Sequence, residues 1–209
     1  MRREKSENDD NVYEELKFML SNGKYNGNGR ASEGRTPLHM LCQSYEKDNL
    51  LDLITLLIQN GANVNAKDQY GGTPLNYLCQ NYRNDNLIDL VKLLMQNGAD
   101  LNDKDIFGWT PVHFICLFYE NDNFIDLVEL LIRNRADINA KNKEGDTPLH
   151  LLFPHYIKNN LIDLVKLLVQ NGADFNAKNE HGKTPLYFLL RNIHRKDSQE
   201  LIDLVNKRI

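Results

Sequence analysis

Five Thr-Pro pairs, at Thr36, Thr73, Thr110, Thr147 and Thr184, divide the chain into units of 37 residues. The clearest copy runs from Thr73 to Trp109, TPLNYLCQNYRNDNLIDLVKLLMQNGADLNDKDIFGW, and the same text begins again at Thr110. A fixed period of roughly 20–50 residues is the signature of a repeat array. Each unit of such an array buries its apolar face only against its neighbours, so the stack is expected to be one elongated domain. Apolar residues make up 41 % of the 209, enough for a sizeable core, and the charged share of 26 % is ordinary.

Local chemistry names the elements within a unit. Thr at N-cap followed by Pro at the first helical position opens a helix, here helix A, because Pro needs no amide partner there and its φ is already helical. Leu38, Leu41 and Cys42, or Leu75, Leu78 and Cys79, form its apolar face. A short polar connection follows, and its last residue (Asn49, Asn86, Asn123 or Asn160) is expected to cap helix B through its side chain. An acid stands three residues on, at Asp52, Asp89, Asp126 and Asp163, where it favours the helix dipole. Helix B, for example LIDLVKLLMQ, is apolar around most of its circumference and must be sandwiched between repeats. Gly61, Gly98 and Gly172 end it in the left-handed conformation, whereas Arg135 holds that place in the third unit at a cost of roughly 1 kcal/mol. A turn then projects, with Gly71, Gly108, Gly145 and Gly182 at the positive-φ position.

The ends are read as follows. Residues 1–10 form a polar, disordered arm. Residues 11–209 form one repeat domain: a half-repeat cap at 11–34, then repeats starting near 35, 72, 109, 146 and 183. The last of these is a C-terminal cap, with Leu201, Ile202, Leu204 and Val205 facing the stack. The polar N-terminus is neither a signal peptide nor an anchor, and no apolar run has the length of a bilayer span. Cys42, Cys79 and Cys116 are also 37 apart. Packed helices lie roughly 8–10 Å apart, beyond the roughly 7 Å Cα limit of a disulfide. The cysteines therefore read as core residues of a reducing compartment, and the chain as a cytoplasmic or nuclear monomer. A net charge of −4 without a basic stripe excludes nucleic acid as the expected partner.

Thr-Pro-Leu-His at Thr36–His39 and Thr147–His150, and the Leu-Leu-x-x-Asn-Gly-Ala-Asp-x-Asn-x-Lys runs ending at Lys67, Lys104, Lys141 and Lys178, resemble the ankyrin-repeat family. The resemblance covers about residues 12–209 and implies an all-α solenoid of stacked helix-turn-helix units with projecting β-turn loops. It departs in length: the family unit has about 33 residues, and here four more fall between the helices. Tyr45, Tyr82, Tyr119 and Tyr156 recur there, so the insert reads as one more helical turn with a longer loop, an architectural feature.

Chemistry is sparse. His39, His113 and His150 recur in helix A, but Asn76 and Tyr187 replace them elsewhere, which a catalytic or metal site would not tolerate. The resemblance implies that this residue hydrogen-bonds between repeats. No nucleophile–base pair, phosphate loop or metal-spaced cluster is present, so neither an enzyme nor a cofactor is expected. The resemblance also places function on the concave face of turn tips and helix A, where positions that differ between repeats are free to recognise a partner protein. Those singled out are Tyr70, Gln80, Asn81, Ile106, Phe107, Trp109, Leu117, Phe118, Lys143 and Glu144, centred on the third repeat. An exposed aromatic patch there marks a partner site; alternatively, Trp109 and Phe107 pack against neighbouring turns.

Two other roles stay open. Asn65, Asn102, Asn139 and Asn176 lie in a pattern similar to that modified by an asparaginyl hydroxylase in ankyrin-like proteins, or else they support their turn by side-chain hydrogen bonds. The Asn-, Lys- and Ile-rich composition also fits a host-directed effector or adaptor of a microbe or virus.

Overall fold

The computed structural model describes residues 18, 27–44, 49–119, 121–154, 160–192 and 198–206. The N-terminal arm, most of the half-repeat cap, Tyr45, His155, Tyr156, Lys207 and Arg208 lie outside the described residues, as do parts of four A–B connections. Ten α-helices and no strand occur among the described residues. Helix A of the successive repeats is α1 (Pro37–Ser44), α3 (Pro74–Asn81), α5 (Pro111–Phe118), α7 (Pro148–Leu152) and α9 (Pro185–Asn192). Helix B is α2 (Leu50–Gln59), α4 (Leu87–Gln96), α6 (Phe124–Arg133), α8 (Leu161–Gln170) and α10 (Ser198–Asn206). The described residues divide into two compact units between Asp100 and Leu101.

Every helix A begins on a proline, and three of the preceding threonines are extended: Thr73 at φ −99°, ψ 163°, Thr110 at φ −97°, ψ 165° and Thr147 at φ −87°, ψ 164°. In the first unit α1 packs on α3 and α2 on α4; in the second, α5 packs on α7 and α8 on α10. Leu50, Leu53, Ile54, Leu57, Leu87, Leu90, Val91 and Leu94 are fully buried, as an all-round apolar helix B requires. Helix B ends in the left-handed conformation at Gly61, Gly98 and Gly172 (φ 80–88°), and Arg135 adopts it too, at φ 63°. A Cβ at any of those three glycines would meet nothing within 4 Å, so the arginine is accommodated sterically and its only penalty is the backbone conformation.

The A–B connection differs from the sequence expectation. Tyr82 and Tyr119 do not extend helix A; they end it, with extended backbones at φ −87°, ψ 127° and φ −96°, ψ 119°. Both rings are 2 % exposed. Their hydroxyls donate to Asn86 Oδ1 at 2.7 Å and Asn123 Oδ1 at 2.6 Å. Asn49, Asn86, Asn123 and Asn160 stand at the N-cap position as expected, but no cap bond forms from any of these side chains. Their ψ values of 11–18° lie outside the extended region that turns a capping side chain onto the next amides. The four extra residues thus lead a tyrosine into the core, and at Tyr82 and Tyr119 its hydroxyl fastens the start of helix B. In the fourth repeat Pro154, lacking an amide, shortens α7 to five residues.

Adjacent repeats within each unit are fastened by a ladder that runs along their turns. Asn28, Asn65, Asn102 and Asn139 each donate Nδ2–H to the carbonyl 33 residues on (Gly61, Gly98, Arg135 and Gly172, at 2.7–3.1 Å). Each Oδ1 accepts the amide 35 residues on, at Asn63, Asp100, Asp137 and Asp174, at 2.7–3.0 Å. Beside this ladder, Arg30, Lys104 and Lys141 each donate to the carbonyl 37 residues on.

Candidate functional site

The tip of the third repeat is a closed loop built on one acid. Asp105 Oδ1 accepts the amides of Phe107 (2.9 Å) and Trp109 (2.8 Å), while its own amide donates to the Trp109 carbonyl at 3.0 Å. Gly108 stands at φ 81°, and a Cβ there would lie 3.0 Å from Asn142 Cα. The position thus needs glycine both for its conformation and for the close approach of the next tip. That next tip is joined to it, since Lys143 N–H donates to the Phe107 carbonyl at 2.9 Å. Ile106 and Phe107 are held out of this frame, 42 % and 57 % exposed, with Lys143 and Glu144 exposed on the adjoining tip.

The other residues singled out in this repeat lie elsewhere. Trp109 is half-buried: its ring lies 5.2 Å from Phe114 and 5.9 Å from His113, tilted onto the first turn of α5. It supports the tip from below instead of joining an exposed cluster. Half-buried Leu117 and exposed Phe118 sit at the far end of α5, about 12 Å along an eight-residue helix from its start. In the first unit Tyr70 is 39 % exposed and its hydroxyl lies 3.5 Å from Glu33 Oε1. Gln80 and Asn81 are half-buried, and Asn81 Nδ2 donates back to the Tyr77 carbonyl.

Each histidine of helix A closes a cap. His113 Nδ1 accepts from the Thr110 amide at 3.1 Å and from its hydroxyl at 2.8 Å, and Nε2 faces the Asp146 carbonyl at 3.1 Å. His39 repeats this on Thr36 and the Gly72 carbonyl, and His150 on Thr147 and the Lys183 carbonyl. An amide must donate and a carbonyl must accept, so Nδ1 is bare and Nε2 carries the proton. Burial holds the His39 and His113 rings neutral, lowering the pKa of the first and bringing that of the second down to about 4. Burial likewise pushes the Cys116 thiol up to about 12, and those of Cys42 and Cys79 higher still. A neutral, fully bonded imidazole and three un-ionised core thiols offer no nucleophile or base. No group of three or more metal-ligating side chains occurs among the described residues. No helix among them is long and apolar enough to cross a membrane.

The asparagines proposed for modification are not turn supports in the sense expected. Asn65, Asn102 and Asn139 reach into the next repeat, where carbonyl and amide together occupy the side-chain amide. The turn itself is held by the residue two before, as Asn63 and Asp137 Oδ1 accept the amides of Asn65 and Asn139. Asn176 is exposed, and its amide is taken by Asp174 Oδ1 at 2.8 Å.

Comparison with protein families gives a match to the model for ankyrin repeats in three overlapping copies, over residues 6–105, 82–153 and 119–207. The chain belongs to the ankyrin-repeat family. A search of the curated proteins gives no match. The fold class is that of the family, an all-α solenoid of helix-turn-helix repeats. Ankyrin repeats are protein-interaction modules that act as non-catalytic scaffolds, consistent with the closed histidines and buried thiols of this ankyrin-repeat chain.

Two features of this ankyrin-repeat chain escaped the sequence reading. Asn28 belongs to the asparagine ladder, and its place 37 residues before Asn65 was the available signal. Tyr187 and Leu190, 38 % and 37 % exposed on α9, are not among the residues singled out from the sequence; the departure of Tyr187 from the His/Asn pattern was the signal there.

Proposed function

We propose that this chain is an interaction scaffold whose partner protein docks on the third repeat, at Ile106, Phe107, Leu117 and Phe118, with Lys143 and Glu144 flanking the tip. The observation that carries the reading is the exposure of Ile106 and Phe107 on a turn locked by Asp105. Apolar side chains held in water by a rigid backbone give up little conformational entropy on binding and gain the burial of their surface. Trp109 contributes stiffness from beneath, and Tyr70, Gln80 and Asn81 offer a corresponding tip and helix in the first unit.

The test is affinity capture from the native cell with the wild-type chain and an Ile106→Ala/Phe107→Ala/Phe118→Ala variant of unchanged helicity. Proteins held by the first and lost from the second support the reading. Equal retention on both would sink the assignment to the third repeat.

A further inference from the structure

The last repeat carries an exposed surface of different chemistry. Thr184 Oγ1 accepts the amide of Tyr187 at 3.1 Å. At this position of helix A the other repeats hold His39, Asn76, His113 and His150, all buried, with side chains that reach back to the cap. A phenol has no acceptor at that reach, and Tyr187 instead stands 38 % exposed. Lys183 Nζ lies 4.1 Å above its ring, and Arg191 Nη1 donates to its hydroxyl at 3.2 Å. Arg191 is one turn after Tyr187 on α9, Lys183 reaches the same ring from the turn before the helix, and exposed Leu190 borders them.

Among the described residues the charges here are unbalanced. Neither Lys183 nor Arg191 has a carboxylate partner among the described residues. The first unit provides the contrast, for Arg35 occupies the repeat position of Lys183. Its guanidinium pairs with Glu33 at 2.7 Å, lies 3.7 Å from the buried carboxylate of Asp68, and donates to Gln43 and Tyr77. The cation is paired with carboxylates in one repeat and, among the described residues, meets none in the other. The hydrogen bond from Arg191 and the neighbouring ammonium of Lys183 also hold the Tyr187 phenol below its ordinary pKa.

We propose that Lys183, Tyr187, Leu190 and Arg191 form a docking face for an acidic peptide segment of a partner protein. Its carboxylates pair with the two cations across the phenol, and an apolar side chain rests on Leu190 and the tyrosine ring. Two cations beside exposed Glu180 are too few for a phosphate backbone, which needs a continuous basic stripe. Exposed tyrosine and leucine suit a peptide that alternates acid with apolar residues. This surface is separate from the third-repeat tip, and either assignment can fail without the other.

Fluorescence anisotropy with the full chain tests it, using a short labelled peptide of glutamates interspersed with leucines. Controls are the same peptide with glutamine for glutamate and a single-stranded DNA oligonucleotide. The acidic peptide is expected to bind, at least about tenfold more tightly than its glutamine version, and to weaken as salt rises. K183E/R191E turns two attractions into repulsions and should weaken binding about tenfold or more. The neutral K183Q/R191Q pair should lose less in the same direction, and F107A/F118A should bind as wild type. All these side chains are exposed, so helicity and melting serve as controls on folding. Absent binding, equal affinity for the glutamine peptide, an unaffected K183E/R191E variant, or tighter binding of the oligonucleotide would each overturn the proposal.

Discussion

The neutral state of His113 makes the stability of the second unit depend on pH, with a magnitude that follows from its surroundings. Its Nδ1 is occupied by the Thr110 amide and hydroxyl, so a proton can enter only by breaking the cap. Folding lowers its pKa from 6.5 to about 4. Between those values the unfolded chain binds the proton and the folded one does not. Stability is therefore complete above about pH 6.5, falls as pH drops through this window, and levels off below about 4. At 1.36 kcal/mol per unit the whole contribution is about 3 kcal/mol, of which about 2 kcal/mol is lost between pH 7 and pH 5. His113→Asn isolates it, because Asn76 already fills this place in the second repeat, with Oδ1 accepting the Thr73 amide at 3.2 Å. The assay is urea unfolding at pH 7 and pH 5, followed by the fluorescence of Trp109, the single tryptophan, whose ring lies 5.9 Å from His113. Wild type should lose about 2 kcal/mol more than His113→Asn over that interval. Equal losses in the two proteins would refute the argument that the cap excludes the proton.

Arg135→Gly relieves a left-handed conformation with no steric partner to disturb, and should stabilise by up to about 1 kcal/mol; a lower urea midpoint in the variant would contradict the reading. Tyr82→Phe removes the hydroxyl that donates to Asn86 and should destabilise by about 1 kcal/mol, read from far-UV dichroism during urea unfolding. An unchanged midpoint would mean that the inserted tyrosine acts through its ring alone.

The sequence by itself determined the repeat, its helices and their order. Thr-Pro starts, Asn-Gly stops and the period of helix B are local chemistry, legible without knowing what lies across the core. The left-handed turn at Arg135 was legible for the same reason, as a non-glycine in a glycine's register. The sites were less so, because exposure depends on what lies across from a residue. Trp109 was open to two readings, an exposed patch or packing against neighbouring turns, and its ring lies on Phe114 and His113 of the helix that follows it. Asn86 and Asn123 stand at the N-cap of helix B as expected, yet their side chains bond a tyrosine hydroxyl four residues earlier and make no cap bond. Asn65 was expected to serve its own turn, yet its partners stand 33 and 35 residues away. Only tertiary structure decides among competing partners of equal chemistry, since an asparagine amide bonds equally well to a cap, a turn or a neighbouring repeat. Distance makes the choice, and distance is set when the repeats stack.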